Sequence, residues 1–252
     1  MLLRTLAILL VSLPTFAQVW LPQEETPSEI VNHSAITVGY NEDHEVANWV
    51  GYVLRREHLQ NCVERSNSFK EDPRLRTGSG TPEDYKSSGY DRGHLAPAGD
   101  MKWSRTAMRE TFYMSNISPQ TGKMNRGQWA QLEVLVRAWA KDAEETIVFT
   151  GTILEGKLPR IGRTGISVPN EHYKVLLRSK NGELHAIGFL MSRNPTGTGI
   201  ETYALPVRVI EGLAGLDFFP HLPEEMQDKV ETQIDWNEWN FKARFSYDPC
   251  SR

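Results

Sequence analysis

The most informative stretch of the sequence is one octapeptide, Tyr90-Asp91-Arg92-Gly93-His94-Leu95-Ala96-Pro97. It follows residues 64–90, a stretch rich in turn signals such as Asp72-Pro73 and Gly78-Ser79-Gly80. Such a loop is longer than a plain connector needs to be, so we expect it to serve the function. Taken alone, His94 is better interpreted as an ordinary structural histidine, and its meaning depends on the residues that accompany it.

The accompanying residues lie on a predicted helix, residues 125–142. Its apolar stripe consists of Trp129, Leu132, Val136 and Trp139. At about 100° per residue, Glu133 and Arg137 are about 40° apart, and Asn125 lies about 80° from Glu133. One edge of the helix therefore presents an amide, a carboxylate and a guanidinium together. The alternative is that Asn125 caps the helix and that Glu133 and Arg137 form a surface ion pair.

These residue types match the needs of phosphodiester hydrolysis. A histidine such as His94 can be the base that activates water. Mg²⁺ keeps most of its water and needs only one or two protein oxygens, which the Asn125 amide can provide. Arginines stabilise the charge that develops on the phosphate. The set fits a one-metal nuclease better than a zinc site, which would need several histidine or cysteine ligands.

The remaining sequence predicts a mixed fold. Strand-like runs cover residues 36–40, 49–54, 146–152, 173–178 and 184–191, and helical patterns cover residues 104–112, 125–142 and 206–213. The turn signal Lys180-Asn181-Gly182 separates the last two strands. Residues 116–120 are predicted to be a loop because Pro119 disfavours a helix there. Strands and helices alternate too irregularly for a doubly wound parallel sheet, so we predict a single α+β domain.

The first residues have the pattern of a secretory signal peptide, predicted for residues 1–17, with a cut after Ala17. A buried first helix or a short N-terminal anchor is the alternative. Residues 18–35 are interpreted as an extended lead-in and residues 36–252 as one domain. No apolar run reaches the roughly 18 residues of a spanning helix. We therefore expect a secreted or periplasmic protein that does not cross a membrane.

The chain has two cysteines, Cys62 and Cys250, and their chemical state depends on whether the protein is exported. They are too few for a disulfide framework or for a four-thiolate zinc site. Export would allow them to pair and to tie the C-terminus to the domain. The sequence leaves a disulfide and two separate thiols as equal alternatives, because it does not show whether the two residues are close.

Charge is unevenly distributed along a chain whose net charge is −4. Residues 91–141 hold eight Lys and Arg against four Asp and Glu, and residues 155–180 hold six against two. Residues 211–240 hold one against eight. Ordinary solvated faces would explain these runs. A basic face opposite an acidic one is the other explanation, and it suits a polyanionic substrate.

Further motifs accompany the octapeptide. They are Trp103-Ser104, Thr111-Phe112-Tyr113-Met114-Ser115-Asn116-Ile117-Ser118-Pro119-Gln120, Phe149-Thr150-Gly151 and Val168-Pro169-Asn170-Glu171-His172-Tyr173-Lys174-Val175. With Asp91-Arg92-Gly93-His94 and the helix residues, this pattern resembles the DNA/RNA non-specific endonucleases, the ββα-metal nucleases that include endonuclease G. The resemblance covers roughly residues 36–220. It implies a central antiparallel sheet flanked by helices, with the metal site in a strand–strand–helix finger.

The resemblance also assigns roles around a metal. It implies that His94 is the general base, that Asn125 binds Mg²⁺ directly, and that Glu133 holds metal-bound water, with Mn²⁺ as a possible substitute ion. Asp91 would brace the motif, and Asn116 would orient the region around His94. The implied reaction is hydrolysis of DNA and RNA by an endonuclease.

Three arginines complete the implied site. Arg92 and Arg137 would contact the phosphate. In the family an arginine of the preceding loop joins them, and Arg65 is our choice, with Lys70 or Arg74 as alternatives.

Other functions fit parts of the sequence. They are a catalytically inactive relative that binds nucleic acid, a phosphodiesterase for another polyanion or a small phosphodiester, and a toxin, which would need a delivery domain or an immunity partner. Intact His94, Asn125 and Glu133 argue against the first, and the extent of the basic face favours a polymeric substrate. The motifs of serine hydrolases, P-loop enzymes and zinc peptidases do not occur. The oligomeric state stays open, a homodimer included.

Overall fold

A seven-stranded antiparallel sheet runs through the molecule. The computed structural model describes residues 21–251. The strands are β1 (Gln23–Glu24), β2 (Glu29–Asn32), β3 (Thr37–Asn41), β4 (Val46–Leu54), β5 (Gln60–Asn61), β6 (Asp91–His94), β7 (Ile117–Gln120), β8 (Glu145–Ile153), β9 (Arg160–Ile161), β10 (Ile166–Ser167), β11 (Glu171–Lys180), β12 (Glu183–Ser192), β13 (Ala204–Leu205), β14 (Leu216–Asp217) and β15 (Asp248–Pro249). The helices are α1 (Arg105–Glu110), α2 (Ala130–Lys141), α3 (Val207–Ala214) and α4 (Glu224–Glu231), and a π-helical segment, Met124–Trp129, leads into α2.

The strand order in the large sheet is β13-β12-β11-β8-β4-β3-β2. Each neighbouring pair is antiparallel. The predicted α+β fold with a central antiparallel sheet is therefore confirmed. All five predicted strands are present, as β3, β4, β8, β11 and β12, with ends within about three residues of the prediction.

Because successive side chains of a strand alternate, the sheet has two buried faces. On the first face, Tyr52, Leu176 and Phe189 share a core with the apolar stripe of α2. On the second face, Phe149 and Tyr173 share a core with α3 and α4. Helices thus cover both sides, which explains why β8 is buried along its whole length.

The predicted turn between β11 and β12 is confirmed. Asn181 and Gly182 have φ values of 53° and 76°. Both are positive, as the tight two-residue hairpin turn requires, and Asn and Gly are the residues that tolerate this conformation best. The turn fixes the register of the longest pair of strands, Glu171–Lys180 with Glu183–Ser192.

Two local predictions are wrong. Residues 117–120 form a strand, β7, although Pro119 suggested a loop. Among the described residues β7 pairs only with β6, so the missing N–H of Pro119 is tolerated at an edge. The helix predicted for residues 125–142 is also not continuous, because Gly127 has the non-helical angles φ −104° and ψ −112° inside the π-helical segment. The apolar stripe survives this interruption, and the stripe alone therefore did not reveal it.

The two ends of the described chain both join the domain. Part of the extended lead-in becomes β2, the edge strand of the large sheet. The predicted signal peptide lies outside the described residues. Across residues 21–251, no helix has the length and apolar character needed to cross a membrane.

The C-terminal segment folds back over the first face. Trp239 is buried and packs edge-on against Trp139, with ring centroids 5.1 Å apart. The Tyr247 hydroxyl donates to the Gly99 carbonyl at 2.9 Å. Beyond it β15 pairs with β5, and Cys250 forms a disulfide with Cys62. Of the two alternatives for the cysteines, the structure has the disulfide.

Candidate active site

The octapeptide supplies the first strand of a strand–strand–helix finger. β6 pairs antiparallel with β7, which places Gly93 opposite Ser118 and His94 opposite Ile117. The Gln120 side chain lies across Gly93, and a Cβ at position 93 would be 2.2 Å from its Cδ atom. A larger residue at the third position of Asp-Arg-Gly-His would therefore displace the Gln120 side chain. The π-helical segment with α2 forms the third element of the finger.

His94 ends β6 with 7% of its surface exposed. Its ring packs edge-on against Phe112 with centroids 4.8 Å apart and lies 5.5 Å from Phe69. Burial, and then the positive charge of Arg65, lower the pKa of His94 to about 3. The imidazole is therefore neutral at neutral pH, which is the state in which histidine can accept a proton.

Asn116 holds the backbone that follows His94. Its side-chain Nδ2 donates to the carbonyls of Ala96 and Thr111, each at 2.9 Å, and its Oδ1 accepts from the Ala96 N–H at 2.8 Å. Its own carbonyl accepts from the Leu95 N–H at 3.0 Å. Asn116 is fully buried. Three of these four bonds fix the chain directly after His94, and the fourth ties it to Thr111.

Asn125 reaches across to the start of β6. Its Nδ2 donates to Asp91 Oδ2 at 3.0 Å, and Arg126 Nε lies 3.1 Å from the same oxygen. Asp91 thus links β6 to the π-helical segment. The amide is oriented by this bond, and within residues 21–251 no group donates to Asn125 Oδ1, which leaves a carbonyl oxygen for a ligand.

The π-helical segment determines where Asn125 lies. The interruption at Gly127 falls between Asn125 and Glu133, so the angle predicted for a continuous helix does not apply. Insertions of this type re-aim side chains and are frequent at functional sites. Asn125 does not cap α2 either, because the N-cap residue is Trp129.

Arg137 pairs with Asp100 and not with Glu133. Its Nη1 lies 2.7 Å from Asp100 Oδ1, while the Tyr52 hydroxyl donates to Asp100 Oδ2 at 2.7 Å. Asp100 is fully buried and Arg137 nearly so. The alternative of a surface ion pair between Glu133 and Arg137 is therefore wrong. The guanidinium that was expected to contact phosphate is held in the interior by Asp100.

Glu133 is half-buried beside this pair. Within residues 21–251 its carboxylate has no hydrogen-bond or ion-pair partner. Burial raises the pKa of Glu133 to about 7, against the nearby positive charges of Arg137 and Lys174. An unbonded, partly buried carboxylate on the finger is suited to hold a cation, directly or through water.

Sequence reasoning missed Asp100 and Lys174. Lys174 is fully buried in β11, donates from Nζ to Thr150 Oγ1 and lies 5.1 Å from the centroid of the Trp129 ring. Burial lowers the pKa of Lys174 to about 8. A signal was present, because the alternation along Tyr173–Leu177 places this lysine on the same side as Leu176, among core residues.

A second histidine lies behind the finger. His172 is two residues before Lys174 on the same side of β11, and its Nε2 forms a 2.9 Å hydrogen bond with Ser118 Oγ of β7. Burial lowers the pKa of His172 to about 3. This bond joins the finger to the large sheet.

Two exposed arginines border His94. The Arg92 guanidinium lies 4.4 Å from the centroid of the Phe69 ring, and that of Arg65 lies 5.2 Å from the centroid of Phe112. Both rings contact His94, so both guanidinium groups lie at its edge.

The two alternatives to Arg65 lie elsewhere. Lys70 Nζ is 5.0 Å from the Tyr113 ring, and Arg74 Nη2 is 3.8 Å from Glu110 Oε1. The structure thus brings Arg65 to His94 and leaves Lys70 and Arg74 with other partners.

Comparison with known proteins identifies the family. The family described as DNA/RNA non-specific endonuclease matches residues 15–225. The chain belongs to this family. It is 35% identical over 217 residues to Nuclease C1 of Cunninghamella echinulata var. echinulata, and the alignment covers 78% of this chain and 85% of that protein. It is 33% identical over 192 residues to human mitochondrial endonuclease G, and that alignment covers 69% of this chain and 64% of that protein.

A solved structure of the family has the same fold. The EndoG/EndoGI complex contains a chain that matches with a TM-score of 0.75 at 31% identity, over 80% of this chain and 89% of that one. This endonuclease is therefore a nucleic-acid-hydrolysing enzyme with the ββα-metal fold, in a family that depends on divalent metal. The finger fits such an ion, because the Asn125 carbonyl and the Glu133 carboxylate are oxygen donors without other bonds.

Proposed function

We propose that this endonuclease hydrolyses phosphodiester bonds of DNA and RNA with Mg²⁺ as its metal and His94 as its general base. One observation carries the proposal: the neutral, buried imidazole of His94 lies on the same finger as the unbonded carbonyl of Asn125. His94 accepts a proton from the water that attacks phosphorus, and the bond from phosphorus to the leaving oxygen breaks.

Two residues would hold the metal. Asn125 Oδ1 would be the direct ligand, and Glu133 would bind through water. When bound, a divalent cation stabilises the negative charge on the phosphate and on the leaving oxygen. Few protein ligands, all of them oxygen, suit Mg²⁺ better than Zn²⁺, and Mn²⁺ is a possible substitute.

The arginines divide into two groups in this proposal. Arg92 and Arg65 are exposed and contact the phosphate, since a planar guanidinium binds two oxygens at once. Arg137 is held by Asp100 and contributes its charge to the environment of Glu133. Its expected direct contact with phosphate gives way to this indirect role.

A groove of about 810 Å³ supports a polymeric substrate. It lies between residues 81–88 and 160–164, and its lining holds three cations, Lys86, Arg160 and Arg163, and two acids, Glu83 and Asp84. Residues 81–88 lead directly into β6, so cations of the groove can continue the phosphate contacts of Arg92. Contacts of this kind read the backbone and not the bases, so cleavage should show little sequence preference and should weaken steeply with monovalent salt.

We further propose that the enzyme acts outside the cytoplasm, secreted or periplasmic. The Cys62–Cys250 disulfide supports this location, because disulfides persist in oxidising compartments. Related proteins that carry the word mitochondrial in their names give the alternative. N-terminal sequencing of the protein found outside the cytoplasm should give Gln18 as its first residue. Protein that stays in the cytoplasm and retains residues 1–17 would contradict the proposed location.

Three variants separate the base from the metal ligands. His94→Ala removes the proton acceptor, so turnover should drop by about 10²–10⁴-fold while Mg²⁺ still binds. Asn125→Ala should weaken Mg²⁺ binding, and excess Mg²⁺ should restore part of the rate. Glu133→Gln should bind metal nearly as well and still be slow, because it acts through water.

The measurement is the single-turnover cleavage rate of duplex DNA, single-stranded DNA and RNA as a function of Mg²⁺ concentration. His185→Ala serves as the control, because His185 lies on β12 outside the finger. Loss of metal binding in His94→Ala, together with normal binding and rate in Asn125→Ala, would show that these roles are wrongly assigned. Strict rejection of RNA would contradict the proposed breadth of substrate.

A further inference from the structure

Three carboxylates converge on the second face of the sheet, away from the finger. Glu211, Asp217 and Glu231 each offer an oxygen atom, and these atoms all lie within 4.8 Å of one another. Glu211 and Glu231 are buried, and Asp217 is half-buried. The nuclease chemistry described above uses none of them.

The local fold brings the three together. Helix α3 carries Glu211 and ends at Gly215, whose φ of 64° turns the chain back. Asp217 follows in β14, and the Phe218 N–H donates to Glu211 Oε1 at 2.9 Å. Glu231 is the last residue of α4. Two helices and a strand therefore meet at this point.

One cation serves the whole cluster. Arg208 Nη2 lies 2.8 Å from Glu231 Oε2 and 3.0 Å from Asp228 Oδ1, and Arg208 Nε lies 3.6 Å from Glu211 Oε2. Among the described residues, this guanidinium is the only cation that pairs with these three carboxylates, and Asp217 has no ion pair. The group is therefore short of positive charge.

Glu231 shows the deficit most clearly. Its side chain has no exposed surface. Its Oε1 is buried without a hydrogen-bond partner among the described residues, and its Oε2 has only the ion pair with Arg208. Oxygen atoms in this position are costly unless a proton or a cation satisfies them.

We infer that Glu211, Asp217 and Glu231 form a binding site for a divalent cation of the Ca²⁺ class. Ca²⁺ binds oxygen at about 2.3–2.6 Å, so two ligands on opposite sides of the ion lie about 4.6–5.2 Å apart. The three oxygen atoms lie within 4.8 Å of one another, so one such ion can contact all of them. Mg²⁺ dehydrates reluctantly and is usually held by only one or two carboxylates, so three converging carboxylates favour the Ca²⁺ class.

Access to the site comes from an acidic groove. A groove of about 400 Å³ borders Glu211 and Asp217, and Glu24 and Glu25 also line it. It gives a cation a route in and provides room for water as further ligands. Arg208 is half-exposed and can remain with the exposed Asp228 when a cation takes its place beside Glu231.

When no cation is bound, a proton on the Glu231 carboxylate neutralises its charge. Burial and the neighbouring Glu211 raise the pKa of Glu231 to about 7, while Arg208 opposes the shift. Ca²⁺ would displace this proton and join α3, β14 and α4. Sites on extracellular proteins with a few carboxylate ligands have Kd values of about 10⁻⁴–10⁻³ M.

The test uses the full exported chain with its disulfide intact, treated with chelator and then titrated with CaCl₂. Calorimetric titration should show a binding event, and a free concentration about tenfold above Kd should raise Tm on the order of 5 °C. Glu231→Gln should abolish both the heat and the Tm increment. Glu225→Gln, an exposed acid on the same helix, should keep both.

Asn125→Ala distinguishes this site from the nuclease metal site. The increment should persist in Asn125→Ala, because that variant alters only the finger. An increment that Asn125→Ala removes and Glu231→Gln keeps would overturn the inference and assign Ca²⁺ to the finger. Absence of any Ca²⁺ effect on wild-type protein would overturn it as well, and the cluster would then hold only a proton.

Discussion

The two faces of the sheet bury charge in different ways. The first face gathers two acids and two bases: Asp100, Glu133, Arg137 and Lys174. The second face gathers three acids around one base: Glu211, Asp217, Glu231 and Arg208. On the first face every charge except that of Glu133 has a direct polar partner, and on the second face an oxygen of Glu231 has none.

The difference teaches how buried charge relates to ligands. The first cluster is close to neutral by itself, and three of its four groups are satisfied within the protein. The second cluster is short of positive charge, which in our inference a cation from solution supplies.

The largest effect should come from breaking the balanced cluster. Asp100→Ala leaves the Arg137 guanidinium buried without its partner, which should lower the free energy of unfolding by about 3–5 kcal/mol. Urea unfolding monitored by tryptophan fluorescence measures the change. Arg208→Ala should cost less, because a proton can neutralise Glu231 once its cation is gone, and equal losses in the two variants would refute the contrast.

The next effect concerns the cover of the first face. The Cys62→Ser, Cys250→Ser variant should lose about 2–4 kcal/mol of stability, because the unfolded chain is no longer cross-linked. The protein should also have no titratable thiol under denaturing conditions. Two reactive thiols in the purified protein would contradict the disulfide.

Acid should act on the finger and on the strand behind it through two buried histidines. His94 and His172 have pKa values of about 3, below the ordinary value of 6.5, so the unfolded chain binds more protons than the folded one between these values. Stability should fall as pH drops below about 6.5, by at most about 1.4 kcal/mol per pH unit for each histidine. His172→Gln should flatten the slope of a stability curve recorded from about pH 7 to pH 4. An unchanged slope would show that His172 does not titrate in this range.

The smallest effect should have the opposite sign. The pKa of Glu231 is raised to about 7, so its ionisation destabilises the fold as pH rises from 4.5 through 7. In chelator at about pH 8, Glu231→Gln should therefore stabilise the protein, on the order of 1 kcal/mol. Thermal unfolding with and without CaCl₂ checks this. Destabilisation in chelator would show that the ionised carboxylate is already satisfied.

Much of the fold was readable from the sequence because it depends on local rules. The alternation of β3, β4, β8, β11 and β12 and the Asn181-Gly182 turn are short-range signals, and they gave the α+β class. The prediction of a loop at residues 116–120 was wrong because a proline excludes only a backbone donor at its own position. An edge strand needs no donor there, so Pro119 is compatible with β7. The prediction of a continuous helix over residues 125–142 was wrong at Gly127. The apolar residues keep their helical spacing on the far side of the interruption, so the pattern did not reveal it.

The site was only partly predictable for a different reason. Asp91, His94 and Asn125 belong to a motif whose spacing can be recognised in one dimension. The ion-pair partner of Arg137 depends on tertiary proximity. The sequence offered Glu133, four positions away on the helix, but the partner in the structure is Asp100. The alternation along β11 places Lys174 on a core face, but the contact of its ammonium group with Thr150 depends on the pairing of β11 with β8.

The disulfide has a consequence for the covalent topology of the chain. Cys62 and Cys250 are separated by 188 residues, and they close that span into a ring. Every residue assigned to the nuclease site, from Arg65 to Arg137, lies inside it. A single proteolytic cut anywhere between the two cysteines opens the ring but leaves both fragments joined. At the extracellular location that we propose, one cut by a protease would thus leave the catalytic residues on one molecule.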